Sequence, residues 1–362
     1  MTRTLEFLLA KDPVLERTGD MAMASLVMDL AAEAYSVRYI ALSTTTGTRG
    51  ENTLVEKPRV SLARLLFDSA RAGRSLVHSR FTVPGFARAI ERSDADTFVA
   101  DHSYMAEPFA ASTRVGGDLR VNSVVSESSV WSSSHGIVGR AQKSAIERDQ
   151  LRIARLARSI ATYDADEAAE YRARGVGAAR WLDVSLEPAP RRGHTAGRPR
   201  LAFVGDRTWN PNQEGYEQLL AWWPRIAAGI PDAELVIIGK PAKLLPLPDG
   251  VRDLGFVDDL DAALNESRGI LAPLRTGGGV RVKILDAARR GIPLVATATA
   301  IGSLSEMFSL EPHDTEDAFV EAARQLLLDR DASLREGVRL YEQNRDRWQA
   351  RVPHAAVAEW LA

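Results

Sequence analysis

The stretch Ala272–Thr297 reads APLRTGGGVRVKILDAARRGIPLVAT. Ile270-Leu271-Ala272 is a short apolar strand end. Thr276 is followed by Gly277, Gly278 and Gly279, a turn in which three residues lack a Cβ, so the backbone can take positive φ and come close to a ligand. Val280 to Arg290 has helical spacing, with Ile284, Ala287 and Ala288 on one face. Gly291 fits the C′ position and Pro293 forbids continuation. Pro293 to Thr297 is again apolar and β-prone. A glycine turn that opens a helix at the carboxyl end of a strand favours an anion, because unpaired N–H groups and the helix dipole point at it. Arg275, Arg281 and Lys283 add fixed positive charge within about two helical turns. Taken singly, these features have a bland reading as a tight turn with solvated cations; the combination is more specific.

Working outward, Pro273-Leu274-Arg275, Gly277, Gly279, Lys283-Ile284-Leu285-Asp286-Ala287, Gly291, Pro293, Val295 and Thr297 stand in an order that resembles the donor-binding segment of GT-B glycosyltransferases of family 4, the group 1 type. The resemblance implies an α/β chain of GT-B architecture, two Rossmann-like domains facing across a cleft. It implies a hexosyltransferase that uses a UDP- or GDP-sugar, retaining and metal-independent, with the leaving phosphate taking the acceptor's proton. It makes Lys283 a catalytic candidate and places Arg275, Gly277, Gly278, Gly279, Val280, Arg281 and Asp286 at the donor. In the family two glutamates, seven residues apart, contact the sugar and the ribose. Here Gly278 stands at the first position and Asp286 at the second, which puts the sugar contact in doubt.

The 362 residues suffice for two domains, and 45% hydrophobic with 26% charged residues is ordinary for a soluble globular chain. A net charge of −2 gives no nucleic-acid footprint. With no cysteine, disulfides, thiolate metal sites and a cysteine nucleophile are excluded. The six histidines, at 78, 102, 135, 194, 313 and 354, lack ligand spacing, so no metal site and no cofactor beyond the donor are expected. No run of about 18 apolar residues and no signal pattern occur, so a cytoplasmic protein is expected. Basic and aromatic patches assembled in three dimensions leave room for a peripheral membrane contact.

The N-terminal half opens as a βαβ unit: strand Leu5–Ala10, the turn Arg17-Thr18-Gly19-Asp20, an apolar helix Met21–Ala34 and strand Val37–Leu42. Gly19 is either a plain turn residue or, as the resemblance implies, part of a loop reaching the donor phosphate. Residues 43–58 read as a loop, and Ser61–Ala72 and Val83–Ile90 as helices. Strand Thr97–Asp101 ends in His102-Ser103, and strand Val121–Val125 ends in Ser126-Glu127. Polar groups at the ends of parallel strands mark the usual site of an open α/β sheet. The family's histidine at the second of these strand ends is replaced by Glu127, so Glu127 and His102 are both candidates for contact with donor or acceptor, against hydrogen-bonded loop roles. Gln142–Thr162 reads as one long amphipathic helix.

The proline-, glycine- and arginine-rich segment 187–199 reads as a linker between an acceptor-side domain, 1–186, and a donor-binding domain, 200–350, with a tail at 351–362 suited to a short helix. Leu201–Val204 is a buried strand. Asn210 reads as an N-cap with Pro211 at the first position and Gln213 completing a capping box. Phe203-Val204-Gly205 and Trp209-Asn210-Pro211-Asn212 resemble a subgroup of the same family. Arg207 is the nearest match to the arginine that holds the diphosphate there. Leu254-Gly255-Phe256-Val257 resembles the loop under the nucleotide base, with Gly255 offering backbone and Phe256 an apolar wall; Phe256 as a core residue is the other reading. Three functions stay open: a glycosyltransferase; an epimerase or phosphorylase on the same fold; or a catalytically degenerate paralogue that binds nucleotide or serves as a partner subunit. The acceptor (glycan, glycolipid, protein or small molecule) is not readable. A dehydrogenase is disfavoured, because the turn at Gly19 lacks a dinucleotide glycine triplet.

Overall fold

The computed structural model describes residues 3–16, 18–134, 136–190 and 198–362; Arg17, His135 and the segment 191–197 with His194 lie outside the described residues. The chain divides into two units, Met1–Val184 with Pro353–Ala362, and Ser185–Val352. The start of the expected linker is therefore already packed on the second unit. The Ala189 N–H donates to the Arg289 carbonyl at 3.0 Å and the Tyr341 hydroxyl donates to the Ala189 carbonyl at 3.1 Å. The C-terminal segment is a helix, Val352–Leu361, counted with the first unit, where Trp360 is fully buried and the Tyr35 hydroxyl donates to the Leu361 carbonyl.

The first unit holds eight strands: β1 (Thr4–Leu9), β2 (Ser36–Ser43), β3 (Gly47–Arg49), β4 (Asn52–Glu56), β5 (Thr97–Asp101), β6 (Asp118–Ser123), β7 (Ser159–Thr162) and β8 (Ala179–Trp181). Their order is β3-β4-β2-β1-β5-β6-β7-β8, parallel throughout except between β3 and β4. The central β1 and β5 are buried along nearly their whole length, as a sheet covered on both faces requires. Two expectations change. The loop read at 43–58 contains the β3–β4 hairpin, which is edge structure with little apolar signal: only Leu54 of β4 is buried. The single helix read at Gln142–Thr162 is a helix, Gly136–Leu156, followed by β7. Ile160 and Ala161, read as the end of that helix, are buried strand residues, and a short apolar run fits either period.

The second unit has five parallel strands, β9 (Arg200–Val204), β10 (Glu234–Ile238), β11 (Val251–Gly255), β12 (Gly269–Ala272) and β13 (Leu294–Ala296), ordered β11-β10-β9-β12-β13. Phe203, Tyr216, Trp223 and Phe319 fill its main core. The helix Asn210–Ala227 begins at the residue expected to cap it, one position earlier than read. Trp209 is the N-cap and makes no side-chain cap bond, while Asn210 Nδ2 bonds Glu214 and Gln213 bonds Glu217, so no capping box forms.

Both sheets reverse their strand order once near the centre, between β1 and β5 and between β9 and β12. The crevice outside the carboxyl ends at such a point is where open α/β sheets bind ligands. Among the described residues no helix is long and apolar enough to cross a membrane.

Candidate functional site

In the second unit, the chain leaves β12 at Ala272, turns through Thr276 to Gly279 and enters the helix Val282–Arg290. Gly277 has φ 139° and Gly279 φ 77°, both in the region that side chains disfavour. A Cβ on Gly277 would stand 3.4 Å from the Trp209 ring. The helix starts at Val282, later than the Val280 expected, with Arg281 as N-cap and no side-chain cap bond. Its first N–H groups have no intrahelical carbonyl to meet. Lys283, in the first turn, donates from Nζ to Asn212 Oδ1 at 2.6 Å and lies 5.8 Å from the centre of the Trp209 ring. Asn212 is itself anchored, donating to the Asp206 carbonyl at 2.8 Å and packing on Gly205 so closely that a Cβ there would meet it at 2.8 Å. The switch point thus brings the end of β9 and the end of β12 onto one ammonium. Burial lowers the pKa of Lys283 to about 8.

The other donor candidates divide. Gly277, Gly278, Gly279 and Val280 form the turn. Arg281 Nη1 donates back to the Gly279 carbonyl at 3.1 Å, and Arg275 is exposed. Gly255, with φ 61°, ends β11, and Phe256 next to it is 66% exposed, which removes its reading as a core residue. Two residues depart from the expectation. Arg207 is buried, paired through both terminal nitrogens with Asp253 at 2.7 and 2.9 Å and stacked 4.6 Å from the Tyr216 ring centre. Its charge is already neutralised, so it braces β9 to β11. The Asp286 carboxylate accepts from Arg289 at 2.8 Å and from Arg290, on its own helix.

In the first unit, the residue after β5 is His102, in a strained backbone conformation for a side-chain-bearing residue (φ 75°, ψ 148°), held by its N–H to the Asn122 carbonyl at 2.8 Å. Its ring stacks on Tyr104 with centroids 5.0 Å apart. Three carboxylates surround it: Asp20 Oδ2 and Asp101 Oδ2 are each 3.8 Å from Nε2, and Glu127 Oε1 is 4.0 Å from Nδ1. These separations are too long for hydrogen bonds, and neither ring nitrogen has a hydrogen-bond partner among the described residues. Burial alone would push the His102 pKa down; the three carboxylates outweigh it and raise it. Burial raises Asp101 to about 6, against the pull of His102. Burial also raises Glu127. Burial acts the same way on Asp20, but His102 and Lys11, whose Nζ is 2.6 Å away, hold it well below the usual carboxylate range.

Glu127 and His102, read as alternatives, are therefore neighbours. Glu127 opens the helix Glu127–Ser134 and takes the Ser103 N–H at 2.8 Å and the Ser103 hydroxyl at 2.5 Å. Since that hydroxyl proton goes to Glu127, the fully buried His78 donates to Ser103 from Nε2 at 3.0 Å and accepts from Ser75 on Nδ1 at 2.8 Å. His78 is accordingly neutral, its pKa lowered by burial to about 3. Gly19 opens the helix Gly19–Ala31, and the acid that reaches His102 is its neighbour Asp20. Reading the sequence did not assign Asp20, Asp101, Asn212 or Trp209. The last two lie in the Trp209-Asn210-Pro211-Asn212 phrase already noticed; Asp101 is the last residue of a strand whose polar end was noticed, and Asp20 follows Gly19 in the turn already quoted. No group of three His, Asp or Glu side chains among the described residues is arranged to hold a metal ion.

Residues 198–329 match the family described as Glycosyl transferases group 1. No curated protein matches the sequence. Among solved structures, a sucrose-phosphate synthase from Thermosynechococcus elongatus superposes with a TM-score of 0.71 at 14% identity, covering 97% of this chain and 96% of its own. HepE from Anabaena, in complex with UDP and glucose, gives 0.67 at 11% identity, covering 100% and 99%. WaaG, a glycosyltransferase involved in lipopolysaccharide biosynthesis, gives 0.65 at 13% identity, covering 98% and 99%. The fold is that of these GT-B proteins.

Proposed function

We propose that this chain, a GT-B protein whose residues 198–329 form a group 1 glycosyltransferase domain, transfers a hexose from a UDP- or GDP-sugar to a hydroxyl acceptor with retention and without a metal. The observation that carries this reading is Lys283. A partly buried ammonium with a depressed pKa is held by Asn212 beside a glycine turn, at a helix N-terminus, at the switch point of a parallel sheet. That arrangement suits a diphosphate. The turn and helix N–H groups, Lys283, Arg281 and Arg275 neutralise it as it leaves. The bond from the anomeric carbon to the phosphate oxygen breaks, the bond to the acceptor oxygen forms, and the acceptor's proton passes to the leaving phosphate. The UDP and glucose in the complex of the similar HepE support the donor class. His102 and Glu127, with Asp20, supply the fixed polar groups for sugar or acceptor hydroxyls, and Gly19 opens the helix that carries Asp20.

Exposed Phe256 and the backbone of Gly255 take the base. Phe256→Ala is expected to weaken nucleotide binding about tenfold, some 1.4 kcal/mol, from lost stacking. Its melting temperature stays put, since the ring is out of the core. Equal affinity in that variant moves the base elsewhere.

The test of the reading is calorimetric titration with UDP, GDP and ADP and then with their sugars. Tight binding of one nucleotide, followed by hydrolysis or transfer of its sugar, supports it; no binding to any of them ends it. One observation favours a second reading, nucleotide binding without turnover: position 278 has no carboxylate and Asp286 is committed to Arg289 and Arg290. Binding of nucleotide with no release of sugar in the presence of any acceptor would select it.

A further inference from the structure

The helix Leu62–Ala72 in the first unit buries none of its residues. It is nonetheless well made: Ser61 Oγ accepts from the Arg64 N–H, Gly73 closes the end in the left-handed region, and Arg148 donates to the Gly73 carbonyl at 2.8 Å. At helical pitch, Leu62, Leu66, Ala70, Ala63 and Phe67 form a continuous apolar arc of about 140°. Leu62, Leu66 and Phe67 are 67%, 51% and 65% exposed, and Val60 just before the helix is exposed as well. The opposite face, with Leu65, Asp68 and Ser69, is the partly covered one. Arg64 and Arg71 border the arc on the Phe67 side, and Arg59 stands at its entry, all exposed. From Lys57 to Arg74 there are five basic residues and one acidic residue in a chain whose net charge is −2.

We propose that this face docks on an anionic lipid bilayer, the apolar arc entering the acyl boundary and Arg59, Arg64 and Arg71 meeting headgroup phosphates. A contiguous apolar stripe on an exposed helix marks a contact surface rather than scattered surface apolarity. The cationic border selects the occupant. A second copy applied to the same face would set arginine against arginine, whereas anionic headgroups complement it and the helix lies in the interface plane. Phe67, beside the arginines, is at the level where aromatic side chains favour the membrane–water boundary. The inference is independent of the donor site.

Vesicle flotation of the full chain tests it, with phosphatidylcholine alone and with a phosphatidylcholine–phosphatidylglycerol mixture. The wild type is expected to float with the anionic vesicles, to stay behind with the neutral ones, and to be partly released by high salt. Leu66→Ser with Phe67→Ser, and separately Arg64→Glu with Arg71→Glu, are each expected to lower the bound fraction constant by about tenfold or more while the melting temperature is kept, because none of these side chains is buried. Failure of the wild type to float, equal binding to neutral vesicles, or unchanged binding in both variants overturns the proposal. So does a concentration-dependent dimer in ultracentrifugation that Leu66→Ser with Phe67→Ser abolishes, which would make the face a self-association surface.

Discussion

Lys283→Ala is expected to abolish donor use while leaving the protein folded and, near neutral pH, more stable. A charge-assisted contact to a diphosphate contributes about 1.5–3 kcal/mol to binding, so donor affinity should fall about ten- to a hundredfold. The turnover loss should be larger, because charge grows on the leaving phosphate in the transition state. The stability argument has the opposite sign. The ammonium is lowered to about 8 from an ordinary 10.5 because burial disfavours its charge. Below about pH 8 both folded and unfolded forms are protonated, and the folded form carries a cost of the order of 3 kcal/mol or less; above it the folded form loses its proton first and stability rises towards pH 10.5. Alanine removes that cost together with the anion partner. The same group sets a pH dependence: donor affinity should hold below about pH 8 and fall about tenfold per unit above it, a slope absent in Lys283→Ala. Thermal melts and titrations across pH check both. Near-normal turnover in Lys283→Ala would remove the donor site from this turn, and a lower melting point would show that the lysine is a structural tie to Asn212.

The second unit was more legible than the first because its candidate site is local in sequence. The glycine turn, Lys283 and the helix behind it span about a dozen consecutive residues, and the backbone geometry follows from residues without a Cβ and from Pro293. What the sequence did not show there depends on pairing at a distance. Asp253 neutralises Arg207 from another strand, and an arginine near a strand end reads alike whether it faces a ligand or a partner. In the first unit the site consists of such pairings. Asp20, Asp101 and Glu127 converge on His102 from the first helix, from β5 and from the residues after β6, and only the strand order β2-β1-β5-β6 makes them neighbours. The β3–β4 edge hairpin and β7 were misread for a related reason: a short strand carries too few residues to establish a period against a helix or a loop.

Asp101→Asn is expected to stabilise the protein by about 1–3 kcal/mol near pH 7 and to lower the pKa of His102. Asp101 is fully buried; its Oδ1 takes Asn122 Nδ2 at 2.8 Å, and its Oδ2 has no hydrogen-bond partner among the described residues. Burial raises its pKa from 3.8 to about 6. Between those values the folded form holds a proton that the unfolded form has lost, so stability falls as pH rises through that window. Above it the ionised carboxylate costs about 3 kcal/mol. Asparagine keeps the acceptor for Asn122 and presents an amide in place of the unpartnered oxygen. The gain should therefore be present near pH 7 and vanish below about pH 3, where aspartic acid is protonated in both states; urea unfolding at the two pH values reads it directly. With Asp101 neutralised, Asp20 and Glu127 alone oppose the burial of the imidazolium, so His102 should lose its proton at lower pH, and any transfer activity that needs it charged should decline at lower pH in parallel. Imidazole titration by NMR follows the first shift and a pH–rate profile the second. Destabilisation at both pH values would mean that the attraction between Asp101 and His102 outweighs the burial of the carboxylate, and that the pair is a structural bond and not a device for holding a charged histidine at the end of β5.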